Sequence, residues 1–261
     1  MTVDFNPIAF SVFGWGVHWY GVMYLLAFMG AWLLGRYRAK APGSGWTVLQ
    51  VDDLVFYAGV GAVLGGRIGY TLFYNLPVFL KDPMVMLRVW EGGMSFHGGL
   101  LGVLVALWLF KRRFQKRYFE VVDFFAPLVP FGLFTGRMGN FINGELWGKP
   151  TDLPWGMIFP HAGDHLLRHP NPLYEAFLEG IVLFVILWWF SSRPRPVMAV
   201  SGLFAICYGV FRFAIEFVRV PDIQLGYLAW GWVTMGMLLS VPLLITGVIL
   251  LWLAYRKTDK V

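Results

Sequence analysis

Seven apolar runs divide the chain, at 17–34, 54–74, 94–110, 122–143, 176–190, 197–218 and 232–255. Most approach the ~20 residues that an α-helix needs to cross a hydrocarbon layer about 30 Å thick, and runs of that length predict membrane helices rather than strands. Short polar segments join them, with one exception at 144–175, a stretch rich in Pro, Gly, Trp and His. A connection that long inside a compact chain is commonly functional. The pattern predicts an all-α, polytopic membrane helical bundle of about seven helices. It forms a single integral membrane domain over 1–261, with an outward N-terminal arm at 1–16 and an outward loop region at 144–175.

The polar positions inside the runs are not scattered. In the sixth run Tyr208, Arg212 and Glu216, with Arg219 just past its end, fall within about 80° of helical arc, and Ser201 and Ala205 continue the same stripe. In the fourth, Arg137 and Asn140 lie about 60° apart, and Gly144 returns to their face a turn later. A charged side chain at mid-membrane costs about 2.5 to 3.5 kcal/mol on insertion scales, so such groups are retained for a pathway or a site. The second run carries Gly61, Gly65 and Gly69 every four residues, a spacing that lets helices approach closely, together with Arg67.

Charge fixes a direction for the bundle. Arg36, Arg38 and Lys40, then Lys111, Arg112, Arg113, Lys116 and Arg117, then Arg193 and Arg195, then Arg256, Lys257 and Lys260 occupy alternate connections. The other connections hold only Lys81, Arg88, Lys149, Arg168 and Arg219. The cation-rich set faces the cytoplasm by the insertion rule, which puts the N-terminus outside and the C-terminus inside. Arg137 and Arg212 then lie roughly 9 Å below the outer ends of their helices at 1.5 Å per residue. Arg67 is also in the outer half, and Tyr20 and His97 begin inward-running helices. Two or three arginines at one depth, with few acids to neutralise them, describe a phosphate pocket; an internal ion pair such as Arg212 with Glu216 is the simpler alternative.

Composition agrees with the membrane reading, at 58% hydrophobic and 14% charged residues. The net charge of +6 is made by short loops, which points to anionic membrane lipid rather than nucleic acid. Cys207 is the single cysteine, so no disulfide forms within the chain, and its place in an apolar run makes it a buried small residue. His161, His165 and His169 are spaced by four, which would suit a metal on a continuous helix, but Pro160, Gly163 and Pro170 break such a helix. No metal or other cofactor is expected.

The segments GGMSFHGGL (92–100), GRMGNFINGELWG (136–148) and FRFAIEFVRVPD (211–222), with HWYG (18–21) and GGRIGY (65–70), resemble the bacterial prolipoprotein diacylglyceryl transferases. The resemblance covers nearly the whole chain in order. It implies transfer of diacylglycerol from phosphatidylglycerol to the lipobox cysteine of a prolipoprotein signal peptide, at the outer face of the bacterial cytoplasmic (inner) membrane, with release of glycerol 1-phosphate. That is the first step of lipoprotein maturation. The family's functional positions match here as His97, Arg137, Asn140, Glu145, Gly148, Arg212, Glu216 and Tyr20.

The chemistry assigns roles. A thioether product requires attack on an sp3 carbon with departure of the phosphate, so a cationic clamp is needed for the growing charge. Arg137 and Arg212 are the catalytic candidates for it, and His97 is the candidate general base for the thiol, with a structural role in the HGG turn as its alternative. Arg67, Asn140, Asn143, Glu145, Gly148, Glu216 and Tyr20 are expected to bind or orient substrate, with Glu145 bracing the outer loop and Glu216 holding Arg212. A transporter or flippase for an anionic lipid would also bury arginines, but would gather polar groups near the midplane. A hydrolase is disfavoured by the absence of H-E-x-x-H and G-x-S-x-G motifs.

Overall fold

The computed structural model describes residues 1–88, 90, 92–221 and 226–256. Asp222, the last residue of the third motif, and Lys257 and Lys260, of the last cationic group, lie outside the described residues. In chain order the elements are a hairpin of β1 (Ile8–Val12) and β2 (Trp15–His18), then α1 (Trp19–Ala39), α2 (Val48–Phe73), α3 (Leu76–Lys81), α4 (Phe96–Arg113), α5 (Tyr118–Phe125) and α6 (Val129–Ile142). After the outer loop, which carries the short pair β3 (Met157–Ile158) and β4 (Leu167–Arg168), come α7 (Asn171–Glu175), a π-helical stretch (Ala176–Val182), α8 (Leu183–Phe190), α9 (Ala199–Ile215) and α10 (Met235–Arg256).

Every expected run falls on a helix. Four helical stretches are long and apolar enough to cross a membrane: Val48–Phe73, Tyr118–Ile142, Asn171–Phe190 and Met235–Arg256. The chain is therefore a helical membrane protein. Length and apolarity alone carry four of the seven expected crossings; α9 is apolar but 17 residues long, and α1 and α4 end in cationic turns with Arg36 and Arg38 and with Lys111, Arg112 and Arg113. The fifth helix begins earlier than its apolar run, at Asn171, because Pro172 suits a first helical turn where no N–H donor is needed. That shift draws Glu175 out of the outer loop and into the helix.

Packing divides the chain into two units. In the unit Trp32–Val122, α2 starts with a capping box: Thr47 accepts from the Gln50 amide while the Gln50 side chain accepts from the Thr47 amide. α2 and α4 then touch backbone to backbone. A methyl group on Gly102 would lie 2.0 Å from the Gly61 carbonyl oxygen, and one on Gly65 would lie 2.3 Å from that of Gly98. Small residues spaced by four thus do what their spacing predicts.

The unit of Met1–Ala31 with Asp123–Val261 is organised around α6, the α7–α8 helix, α9 and α10. Pro127 and Pro130 cannot donate to an α ladder, and a 3-10 turn at Ala126–Leu128 separates α5 from α6. Asp123 caps α9 from another helix, accepting from the Met198 and Ser201 amides at 2.7 and 2.8 Å; this satisfies donors that no preceding turn can reach. Ala126, Leu183, Leu187 and Val200 form the buried centre, with the half-buried Cys207 packed against it. The expected N-terminal arm is a hairpin whose turn residues, Phe13 and Gly14, both have positive φ, the geometry that matches strand twist. Ahead of it, buried Val3 donates to the Ile158 carbonyl.

Candidate active site

Three arginines and three glutamates meet in the second of these units. Arg137 comes from α6, Glu175 and Glu179 from the α7–α8 helix, and Arg212, Glu216 and Arg219 from α9 and the turn after it. Glu175 lies between the two central arginines: its Oε1 accepts from Arg212 Nη1 at 2.8 Å, and its Oε2 is 3.0 Å from Arg137 Nε. Glu216 pairs with Arg212 one turn back, accepts from Arg219 Nη1 at 3.2 Å, and accepts from the Thr234 hydroxyl ahead of α10. The three carboxyl groups are fully buried, whereas the arginine side chains keep 22% and 14% of their surface at Arg137 and Arg212. The acids are therefore the more deeply buried members of the cluster and the two central arginines the less buried.

The pairing leaves capacity unused. Arg137 engages glutamates through Nε and Nη2, and Arg212 through Nη1 and Nη2, so Arg137 Nη1 and Arg212 Nε have no protein partner among the described residues. On the acid side, Glu175 Oε2 is at ion-pair distance but out of hydrogen-bond alignment. Both Glu179 oxygens are buried without a hydrogen bond, 3.6 Å from Arg137 at the closer one. Burying charge this way is costly unless it is well paired.

The expectation of arginines with few acids is corrected here: Glu175 and Glu179 were not among the predicted residues. Their signal was present as Glu at i and i+4 in YEAFLEG, but the apolar run started one residue after Glu175. Glu216 holds Arg212 as expected. Glu145, at the start of the outer loop, accepts from Asn140 Nδ2 at 2.9 Å and Asn143 Nδ2 at 3.3 Å; this engages one of the two N–H donors on each amide. Tyr20 lays its ring on Gly139 and its hydroxyl is 3.4 Å from that of Tyr24.

Gly148 is a point of close approach. Its amide donates to the His169 carbonyl, and a methyl group there would lie within 2.9 Å of His169 and Val218 backbone or side-chain atoms. The strand-like segment through Gly148 and Lys149 thereby ties the outer loop to the end of α9. The three loop histidines do not share a helix face: His161 lies in a 3-10 turn, His165 has positive φ, and His169 follows β4. No three His, Cys, Asp or Glu side chains stand at metal-holding spacing among the described residues. His169 Nδ1 is 3.2 Å from the Tyr174 hydroxyl, which accepts from Trp155 Nε1; burial, with Lys149 nearby, lowers its pKa and favours the neutral ring.

His97 and Arg67 belong to the other unit. His97 is the second residue of α4, exposed, in edge contact with Phe96 and without a hydrogen bond among the described residues. Ser95, not His97, caps the helix, accepting from the Gly98 amide, so the turn does not need the histidine. Arg67 is 4% exposed and surrounded by backbone carbonyls.

Comparison with known proteins converges on one family. The family model described as prolipoprotein diacylglyceryl transferase matches residues 7–253. Curated relatives named phosphatidylglycerol–prolipoprotein diacylglyceryl transferase include one from Solidesulfovibrio magneticus, 61% identical over 97% of this chain and 95% of its own. Others are from Methylococcus capsulatus, 59% identical over 97% and 96%, and from Azotobacter vinelandii, 58% identical over 97% and 95%. With matches of this identity along nearly its full length, the chain belongs to the prolipoprotein diacylglyceryl transferase family.

Proposed function

We propose that this protein transfers the diacylglyceryl group of phosphatidylglycerol to the thiol of a lipobox cysteine in a prolipoprotein signal peptide. The observation that carries this is the arginine pair held by buried glutamates in a chain whose relatives are named for that reaction. The thiol gives its proton to a base, for which His97, with its free ring, is the candidate. Sulfur then forms a bond to the terminal glycerol carbon of the lipid. The bond from that carbon to the phosphate oxygen breaks, its electron pair stays on oxygen, and glycerol 1-phosphate departs with one more negative charge than the headgroup carried.

Arg137 Nη1 and Arg212 Nε are the free donors suited to that charge, which grows only as the carbon–oxygen bond opens. Glu175 and Glu216 fix the two guanidinium groups in advance, so little reorganisation is needed when the charge appears. Positive charge concentrated in alternate connections supports a cytoplasmic-membrane protein with its N-terminus periplasmic, its C-terminus cytoplasmic and this site near the periplasmic leaflet.

The test is a purified preparation in phosphatidylglycerol-containing vesicles, given a lipobox peptide in oxygen-18 water. The peptide should gain the mass of a diacylglyceryl group, and the released glycerol phosphate should carry no solvent oxygen. No gain from folded protein would sink the transferase reading, and oxygen-18 in the phosphate would move the attack from carbon to phosphorus.

A further inference from the structure

A guanidinium group has five N–H donors, and a phosphate ligand must keep some of them open. Arg67 keeps none. Its Nε donates to the Met86 carbonyl at 3.1 Å, Nη1 to those of Gly92 and Gly93, and Nη2 to those of Val85 and Arg88. No carboxylate pairs with it among the described residues. The five acceptors come from one connection between α3 and α4, which holds a 3-10 turn at Pro83–Met86 whose Val85 carbonyl also accepts from the Arg88 amide; the single buried guanidinium group gathers all five. The same connection is pinned at its start by the 2.7 Å pair of Arg88 with Asp82, whose side chain also accepts from the Met84 amide.

The residues just beyond these acceptors give the arrangement a purpose. Gly93 rests on the ring of Tyr70, where a methyl group would come within 2.3 Å. The Ser95 amide donates to the carbonyl of Gly66, the residue before Arg67, and Ser95 then caps α4 through the Gly98 amide. Three neighbours on α2, namely Gly66, Arg67 and Tyr70, thus set the course of the backbone through Gly92, Gly93 and Ser95, and His97 comes two residues later. We propose that Arg67 is a positioning residue for His97, acting through the backbone at Gly92, Gly93 and Ser95, and not a ligand of the lipid phosphate. This rests on the reading of His97 as the base.

The experiment combines kinetics with amide exchange on full-length protein in vesicles. Misplacing a reacting group by about 1 Å costs on the order of 10²-fold. Arg67→Ala should accordingly lower kcat by roughly 10- to 100-fold, with little change in KM for phosphatidylglycerol. In a His97→Asn background the same substitution should cost little more, because residues acting as one unit are not additive. Exchange at the Ser95, Gly98 and Gly99 amides should quicken. Should Arg67→Ala fail to fold, Gly93→Ala displaces the same connection while keeping the charge, and it should give the same kinetic pattern.

A raised KM with unchanged kcat would make Arg67 a headgroup ligand, and a full multiplicative loss in the His97→Asn background would separate it from His97. Either overturns the proposal. Absence of transfer by the wild-type protein would instead fell the proposed function. In that case unchanged exchange at Ser95 to Gly99 would still overturn the positioning role, and quickened exchange would support it.

Discussion

Arg137 and Arg212 share one carboxyl group, and that sharing constrains what can replace them. A guanidinium group reaches Glu175 along one edge while presenting another to a phosphate; an ammonium is a point charge on a flexible stem and meets one partner at a time. Arg137→Lys is therefore expected to lose on the order of 10²- to 10³-fold in turnover, close to Arg137→Ala, since removal of one preorganised donor costs about that much. Steady-state rates on the lipobox peptide check this, and near-normal turnover of the lysine variant would take Arg137 out of the clamp. The arginines and Glu216 were legible in the sequence because helical periodicity aligns Arg212 with Glu216. Glu175 was legible only as one of two glutamates spaced by four; its pairing was not, since its partners come from two other helices and no spacing within one segment records that.

At the scale of elements, the α2–α4 contact shows how far a local pattern reaches. Glycines every four residues in α2 predicted close packing, and the structure supplies the partner, Gly98 and Gly102 of α4. Neighbouring glycines differ sharply: a methyl group on Gly102 would lie 2.0 Å from a carbonyl oxygen, whereas on Gly99 its nearest neighbour would be at 3.4 Å. Gly102→Ala should destabilise the protein by about 1 to 3 kcal/mol, as overpacking does, while Gly99→Ala should be close to neutral. Thermal denaturation in detergent compares the two; equal midpoints would show that the helices can separate at no cost.

For the whole molecule, the alternation of cationic loops makes a directional claim. In a Cys207→Ser background, a single cysteine at Leu166 in the outer loop should react with an impermeant maleimide in intact spheroplasts. One at Ser192, between α8 and α9, should react only after permeabilisation. The reverse pattern would invert the bundle and place the arginine cluster near the inner leaflet, away from any exported peptide.

Several things were decided by the sequence alone: helical class, the positions of the apolar segments, the family, and the arginines worth examining. These depend on hydrophobicity, length and spacing along one chain, and such quantities are local. Tertiary structure alone decided which acids sit on which arginines and that Asn140 and Asn143 serve Glu145. It also decided that Arg67 spends every donor on a connection 18 to 26 residues away. The physical reason is that a buried donor must be matched by whatever acceptor the fold brings within about 3 Å, and that acceptor is chosen by packing between segments.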